Sequence, residues 1–390
     1  MRVSKAFVLC VFCLSLKLSL AAVTVGSCQS VKHSYPTISA AIAAAPPGGV
    51  VNVCPGTYAE QIEIDKPLTI RGIIGVSTII PPDDGLNQLP AGSGVYPQVL
   101  VNNAHGEVKL TNLSIDGGDA LFNAAGFQAG LDFFCPAGVI QNFVGIYFLN
   151  TPGILEGMNI NNQFGSSFLP EDFGPQVIPN CGSGVEFSGS PRAVVRNSNI
   201  TDVGVYGIFS DGDLTADHNV VSGGFGPHGV GITSVNGTIS DNTITGSTGF
   251  FKTIGIQGGD VVRNNNVQTA IYGIVGAAKT RNNTLTNNAI SLSEMNDVSD
   301  NQITSASPTY FDPGCFNQGC DGTPTGPAFP TIGIDLGCGN ESHVRANSIS
   351  GTGIGFANLE GGATISKSNI FSNVGTISTS CSQVTTIHPR

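Results

Sequence analysis

Two acidic residues, Glu186 and Asp211, have the type and the spacing that acid–base chemistry on a sugar requires. Glu186 lies in the segment GVEF, and Asp211 directly follows the segment YGIFS. If these segments are strands on neighbouring turns of a coil, both carboxylates face outward and lie about 8 Å apart. Carboxylates at that separation can act as general acid and base through a water molecule. We predict Glu186 and Asp211 as catalytic residues; the competing interpretation is that they only keep the surface soluble.

Two aromatic residues, Tyr147 and Phe209, belong to the same outward row as Glu186. An aromatic face can stack on the apolar face of a sugar ring, so we predict both as substrate-binding residues. Gly- and Pro-rich insertions at 76–107, 116–143 and 161–183 interrupt the surrounding pattern. Insertions of this kind often border the binding face of a repeat protein.

Metal and cofactor chemistry has weaker support in the sequence. Asp211, Asp213 and Asp217 have the ligand type that calcium prefers, but they form no recognisable ligand loop. The C-x4-C pattern at 315–320 has no second half and no histidine partners, which argues against zinc. There is no phosphate-binding loop or cofactor motif. We therefore predict no metal and no cofactor.

A short phrase of the form Asn-x-Ile recurs through the second half of the chain, at intervals of 18 to 24 residues and one of 46 that contains the Pro-rich stretch 305–330. Its copies are at 196–201, 217–222, 241–246, 263–268, 281–286, 300–305, 345–350 and 366–371. A second phrase, rich in Gly-Ile, alternates with it at 144–148, 184–187, 206–210, 229–234, 254–258, 272–276, 289–293, 332–336 and 353–356.

Strands this short, repeating about every 20 residues without an intervening helix, predict a parallel β-helix of roughly ten or more coils. Each strand then pairs with its counterpart in the next coil, about 4.8 Å away. Alternation along the second phrase predicts one outward row of residues, namely Tyr147, Glu186, Phe209, Thr233, Gln257, Val275, Ser291 and Asp335.

The repeated asparagines have structural roles in such a coil. Asn tolerates the left-handed backbone of a sharp corner, and stacked Asn side chains form amide ladders. We assign these roles to Asn197, Asn219, Asn242, Asn265, Asn282 and Asn301. The arginines before the repeated Asn, together with Asp and His at similar places, predict a mixed-charge surface stripe that includes Arg196, Arg263, Arg281, Arg345, Asp217, His218, Asp241 and Asp300.

The open N-terminal end of a coil needs a cap, and residues 37–45 supply a helical pattern. Ile38, Ala41, Ile42 and Ala45 fall on one face of a helix, Thr37 or Ser39 can cap its start, and PPGG follows. Cys28 and Cys54 flank this segment, so we predict a disulfide between them that holds the cap in place. The alternative is that the two thiols are free or paired with other cysteines.

The run TISAAIAAAPPGGVVNVCPGTYAEQIEIDKPLTIRG resembles the opening segment of right-handed parallel β-helix proteins of the pectin-lyase-like superfamily. The later repeats resemble the coils of the same superfamily, so the likeness covers most of residues 36–380. It implies an all-β solenoid with a short capping helix and loop insertions. It also implies a class that includes polysaccharide lyases, hydrolases, esterases and epimerases, without choosing among them.

No catalytic signature of that superfamily is complete in this chain. Asp132, in AGLDFF, resembles part of the methylesterase signature, but Cys135 and Pro136 break the match. His228, in GPHGVGITS, resembles a polygalacturonase segment, but the aspartate signatures of those enzymes are missing. We interpret Asp132 as a loop residue and His228 as part of a Gly-rich turn.

Residues 1–22 have the charge and apolar run of a secretory signal peptide, which leaves 23–390 as a single β-helix domain. Without Arg2, Lys5 and Lys17, 13 basic residues remain against 27 acidic ones, a net charge of −14. An acidic surface disfavours nucleic acid and anionic membranes. Eight cysteines remain, which favours disulfides in an exported chain. A lipid anchor at Cys28 is the minor alternative to a freely secreted or periplasmic protein.

These observations predict an exported, monomeric, polysaccharide-associated protein of the hydrolase or lyase type. The alternative is a non-catalytic glycan-binding, adhesive or structural surface protein. A tight cluster of carboxylates along a groove would favour the first interpretation.

Overall fold

The computed structural model describes residues 22–28, 34–73, 75–117, 142–163, 182–222, 229–246, 253–307, 309–311, 328–337, 341–358 and 363–379. The predicted signal peptide, apart from Ala22, lies outside these residues, as do Asp132 and His228.

Each coil contributes strands to three faces, and strands on every face pair in parallel with the next coil. One face, which we call the third face, is a separate sheet of 12 strands. Its strands are Gly56–Ala59, Ser77–Ile80, Ser114–Asp116, Asn159–Asn161, Asn199–Thr201, Val220–Ser222, Thr243–Thr245, Asn266–Gln268, Thr284–Thr286, Gln302–Thr304, Ser348–Ser350 and Ile370–Ser372. The eight strands from Asn199–Thr201 onward carry the Asn-x-Ile phrase, and the 12 stacked strands confirm the prediction of ten or more coils.

The other two faces form one continuous sheet because two long strands, Tyr206–Asp217 and Val230–Ser240, run through both. The first face also contains Ile62–Ile64, Val95–Asn102, Asn142–Leu149, Gly182–Ser188, Ile254–Gly258, Tyr272–Val275, Ile290–Ser293, Ile332–Asp335, Ile354–Ala357 and Thr376–Ser378. The second face contains Ala22–Val25, Ser34–Tyr35, Gly49–Val53, Leu68–Gly72, Val108–Thr111, Gly153–Glu156, Ala193–Arg196, Val261–Arg263, Lys279–Arg281, Asp297–Ser299, His343–Arg345 and Thr364–Ile365.

One hydrophobic core runs along the inside of the coils. It is built from stacked aliphatic residues of all three faces, for example Ile232, Ile239 and Ile244 of a single coil, none of which is exposed. The Gly-Ile phrase has a steric reason in this core. A Cβ on Gly231 would lie 2.8 Å from Ile244 Cγ2 and 2.6 Å from the carbonyl oxygen of Gly255. Glycine at this position therefore lets the opposite face pack closely.

Two adjacent positions share the two roles predicted for the asparagines. Asn197 and Asn282 have left-handed backbones, with φ of 51° and 55°, and form corners. The following position forms an amide ladder, buried except at its half-buried last member, in which each side-chain amide donates to the next side-chain oxygen at 2.9–3.1 Å. Its members are Asn219, Asn242, Asn265, Asn283, Asn301, Asn347 and Asn369. The corner and ladder roles predicted for these asparagines are both confirmed, and each residue has one of them.

The N-terminal cap has the predicted form. The helix spans Ile38–Ala44, Thr37 caps its start, and Ile38, Ala41 and Ile42 are buried against the first coils. The Glu60 carboxylate accepts hydrogen bonds from the backbone N–H groups of Ile38 and Ser39 at 2.7 and 2.9 Å. Glu60 therefore holds the helix start from 22 residues away, which the sequence pattern did not indicate.

The predicted disulfide between Cys28 and Cys54 is present, with 5.5 Å between the two Cα atoms. The Cys28 sulfur is therefore not available for a lipid thioether. Disulfides form in oxidising compartments, so the bond is consistent with export.

Within 305–330, Thr309–Phe311 pairs with Ala328–Pro330, the one antiparallel strand pair among the described residues. Within the described part of the chain, no helix is long and apolar enough to cross a membrane. The chain folds as an all-β parallel β-helix with a short N-terminal capping helix, as the repeats predicted.

Candidate functional site

The outward row predicted on the first face exists. Tyr147 lies opposite Glu186, and Glu186 lies opposite Phe209 on the next coil. The row continues through Thr233, Gln257, Val275, Ser293, Asp335 and Ala357. Ser291 was predicted wrongly, because Leu292, not Ile290, pairs with the core residue Ile274. Ser291 is itself buried, and Ser293 takes its place in the row.

Glu186 lies in largely aromatic surroundings. Both Glu186 and Tyr147 are more than nine-tenths buried, at 8% and 9% exposure. The Tyr206 ring packs against Phe209, with 5.0 Å between the ring centroids. Burial raises the pKa of the Tyr206 hydroxyl, and the nearby Glu186 carboxylate raises it further. Tyr206 and Phe209 are half-buried, so their rings are the part of this group that a sugar ring can contact, with the Glu186 carboxylate beside them.

Asp211 lies two residues beyond Phe209, as predicted, and adjoins the same group. Its carboxylate accepts hydrogen bonds from the Ser188 hydroxyl at 3.1 Å and from the Gly189 backbone N–H at 2.9 Å. Ser188 also shares a hydrogen bond with Tyr147. Asp211 is exposed, so it combines a structural contact to the preceding coil with access to solvent.

Burial raises the pKa of the Tyr147 hydroxyl, the hydrogen bond with Ser188 opposes that rise, and the Glu186 and Asp211 carboxylates add to it. Tyr147 therefore responds to both predicted catalytic carboxylates. We name the group Tyr147, Glu186, Tyr206, Phe209 and Asp211 the aromatic–acid cluster. Tyr206 was missed by the sequence analysis, although it lies three residues before Phe209 in the same strand.

The mixed-charge stripe lies on the second face and on the left-handed corner that directly follows each strand of the stripe. Its strand row is Glu156, Arg196, Asp217, Ser240, Arg263, Arg281, Ser299 and Arg345. Glu156 contacts Lys109 at 2.8 Å and Arg196 at 3.1 Å, and these two cations lower the pKa of the Glu156 carboxyl.

One group in this stripe has a donor set that can hold a metal ion. Donor atoms of Asp217, His218 and Asp241 all lie within 4.8 Å of one another. His218 Nδ1 lies 2.9 Å from Asp217 Oδ2, and this hydrogen bond raises the pKa of His218. All three residues belong to the predicted stripe, but their convergence was not predicted from the sequence. Among the described residues no other group of three such donors is this close.

One family model matches residues 160–319, which is less than half of the chain. It is described as "Periplasmic copper-binding protein (NosD)". No curated protein matches the chain.

Several solved structures are similar to this chain. The Azotobacter vinelandii mannuronan C-5 epimerase AlgE4 A-module is 12% identical, with 88% of this chain and 91% of that one covered and a TM-score of 0.42. Pectin methylesterase PemA from Erwinia chrysanthemi is 11% identical, with 95% and 92% covered and a TM-score of 0.30. The periplasmic alginate epimerase AlgG is 12% identical, with 85% and 84% covered and a TM-score of 0.32. At these identities the likeness concerns the fold alone.

Proposed function

We propose that this chain is an exported, polysaccharide-associated β-helix protein that binds a glycan on its first face at the aromatic–acid cluster. The observation that carries the proposal is the register of Tyr147, Glu186 and Phe209 on three successive coils. Successive coils are about 4.8 Å apart, so Glu186 lies close to a sugar ring that is held on the half-buried Phe209 of the next coil.

The charge of the protein narrows the ligand class. The full chain has a net charge of −11 at pH 7, and the cluster itself contains two carboxylates. Such a surface repels a strongly anionic polysaccharide. A neutral glycan is therefore the expected ligand.

The catalytic form of the proposal uses Glu186 and Asp211 as an acid–base pair. Glu186 lies beside Phe209, where a sugar ring would stack, and is assigned the role of general acid. Asp211 is exposed and can contact the attacking water as the general base. The non-catalytic alternative uses the same aromatic surface for binding alone.

The test is a panel of neutral and anionic polysaccharides assayed for binding and for cleavage by the purified protein. Phe209→Ala should weaken binding about tenfold because it removes a stacking surface. Glu186→Gln and Asp211→Asn should leave binding intact and abolish any cleavage. Gln257→Ala is the matched control, since Gln257 lies in the same row two coils beyond Phe209.

The outcomes separate the alternatives. Binding without cleavage, lost in Phe209→Ala, supports the non-catalytic form. Cleavage that survives both carboxylate substitutions removes Glu186 and Asp211 from catalysis. A protein that binds no glycan on the panel contradicts the whole proposal.

Copper binding is a second candidate function, taken from the name of the matching family model. A specific cluster favours it, because Asp217, His218 and Asp241 all lie within the matched residues 160–319. Imidazole nitrogen and carboxylate oxygen are donors that Cu²⁺ accepts in square-planar or tetragonal sites. Equilibrium dialysis of the purified protein against copper(II) sulfate tests this function: retention of about one ion per chain supports it, and no retention rejects it.

A further inference from the structure

We propose that Asp217, His218 and Asp241 bind a divalent transition-metal ion, Cu²⁺ more tightly than its neighbours in the first transition row. The proposal rests on the second candidate function and adds the donor atoms, the residues that orient them and the means of accommodating the ion. It concerns the second face and its corner, and it is independent of the glycan proposal on the first face.

The donor atoms lie at separations that suit a metal ion. Two ligands about 2.05 Å from a metal and at a right angle to each other are about 2.9 Å apart. His218 Nδ1 and Asp217 Oδ2 are separated by 2.9 Å, and the Asp241 donor lies within 4.8 Å of both. An ion placed against this edge therefore needs only small side-chain rotations to reach all three groups.

The coil that contains His218 departs from the repeat of its neighbours. At the corner, His218 takes a position that is Asn197 on the preceding coil and Asn264 two coils beyond, all with left-handed backbones. In the adjacent strand row, Asp217 follows Arg196. Because a basic residue is replaced by an acid at the coil where His enters the corner, the donors converge here and nowhere else in the described stripe.

Hydrogen bonds from neighbouring residues orient both carboxylates. The Ser240 hydroxyl donates to Asp217 Oδ1 at 2.9 Å, and the Asn264 side-chain amide donates to Asp241 Oδ1 at 3.1 Å. The second oxygen of each carboxylate has another partner: Asp217 Oδ2 faces His218, and Asp241 Oδ2 faces the Arg263 guanidinium. Such outer partners fix ligand orientation in metal sites and affect affinity strongly.

The cation now nearest to Asp241 is Arg263, with its Nη1 atom 3.8 Å from Asp241 Oδ2. This is a long ion pair, and 37% of the Arg263 side chain is exposed, so the guanidinium can move into solvent when a metal ion enters. His218 is 61% exposed, which leaves room for water to complete the coordination. We therefore expect an accessible site that exchanges its ion.

The experiment is a titration of the purified, untagged protein with copper(II) sulfate in a non-coordinating buffer, followed by equilibrium dialysis and electron paramagnetic resonance. The wild-type protein should bind one ion and show nitrogen coupling from an imidazole. His218→Asn should weaken binding by about tenfold or more and remove that coupling. Asn is the residue found at this corner on other coils, so the substitution suits the backbone.

The matched control is His105→Asn, because His105 also has a left-handed backbone, with φ of 56°, and belongs to no three-donor group among the described residues. It should bind copper as the wild type does. If His218→Asn does not fold, as judged by circular dichroism, Asp241→Asn replaces it with the same expected loss of affinity. Titrations with zinc and magnesium ions should give weaker and no binding, respectively.

The failures are distinguishable. If the wild type binds no copper, both the site and the second candidate function are rejected. If His218→Asn and Asp241→Asn bind copper as tightly as the wild type, the function stands and this site is rejected.

Discussion

Glu186 lies directly opposite Tyr147 on the next coil of the solenoid, and both side chains are more than nine-tenths buried. Burial raises the pKa of the Tyr147 hydroxyl, and the Glu186 carboxylate adds to that rise. The same carboxylate adds to the raised pKa of Tyr206 from the following coil. One acidic side chain thus influences the ionisation of two tyrosines that belong to the proposed glycan site.

Glu186→Gln should lower the pKa of Tyr147 and of Tyr206 toward the ordinary tyrosine value, because it removes a negative charge from beside each hydroxyl. Ultraviolet difference titration of the wild type, Glu186→Gln, Tyr147→Phe and Tyr206→Phe measures this effect. Gln257→Ala, in the same row, is the control and should leave the titration unchanged. Identical tyrosine titrations in wild type and Glu186→Gln would contradict the proximity.

These raised pKa values also fix the direction of a stability effect. The folded protein holds the tyrosine protons more tightly than the unfolded chain, so the unfolded state ionises first as the pH rises. Stability from this source is complete below the unfolded pKa of about 10 and is lost as the pH rises through the folded pKa values. Denaturant unfolding across that range should show a smaller loss for Glu186→Gln than for the wild type.

Ile42→Asp should lower the free energy of unfolding by about 3–5 kcal/mol, because it buries an unpaired charge under the cap. Ile42 is 4% exposed and belongs to the main core. Ala43→Asp is the control, since Ala43 is exposed on the same helix and its substitution should cost about 1 kcal/mol or less. Equal melting temperatures for Ile42→Asp and the wild type would show that the helix does not seal the first coils.

Asn265→Ala should destabilise the protein by about 2–4 kcal/mol. The Asn265 side-chain oxygen accepts both the backbone N–H and the side-chain amide of Asn242 at 3.0 Å, and both donors are left buried without their acceptor. The neighbouring Asn266 is exposed, so Asn266→Ser should change stability by about 0.5 kcal/mol or less. Chemical unfolding compares the two variants. A similar loss in both would show that the ladder adds little.

Arg263→Gln should tighten copper binding, in contrast to every other substitution proposed at the metal site. The reason is that Arg263 is the cation now paired with Asp241, and the ion must displace it. Copper affinity measured by equilibrium dialysis should rise severalfold. Arg345→Gln is the control, because Arg345 pairs with Asp297, away from the cluster. Weaker binding in Arg263→Gln would show that the arginine supports the site.

The sequence by itself determined the architecture. A corner position recurs about every 20 residues with Asn197, Asn282 and their equivalents, and each coil repeats the same inward aliphatic residues. Both signals are local, because backbone tolerance and side-chain alternation belong to the residue and its immediate neighbours. The cap and the pairing of Cys28 with Cys54 followed from the same kind of local pattern.

The tertiary structure alone decided which side chains meet between coils. Ser293 rather than Ser291 joins the outward row because the strand pairs through Leu292, and alternation permits either register. Glu60 caps a helix 22 residues earlier in the chain, and Asp217, His218 and Asp241 converge only because consecutive coils stack. These contacts join residues roughly 20 positions apart in the chain, on coils that are about 4.8 Å apart. The packing of the whole coil sets the register that brings these residues together.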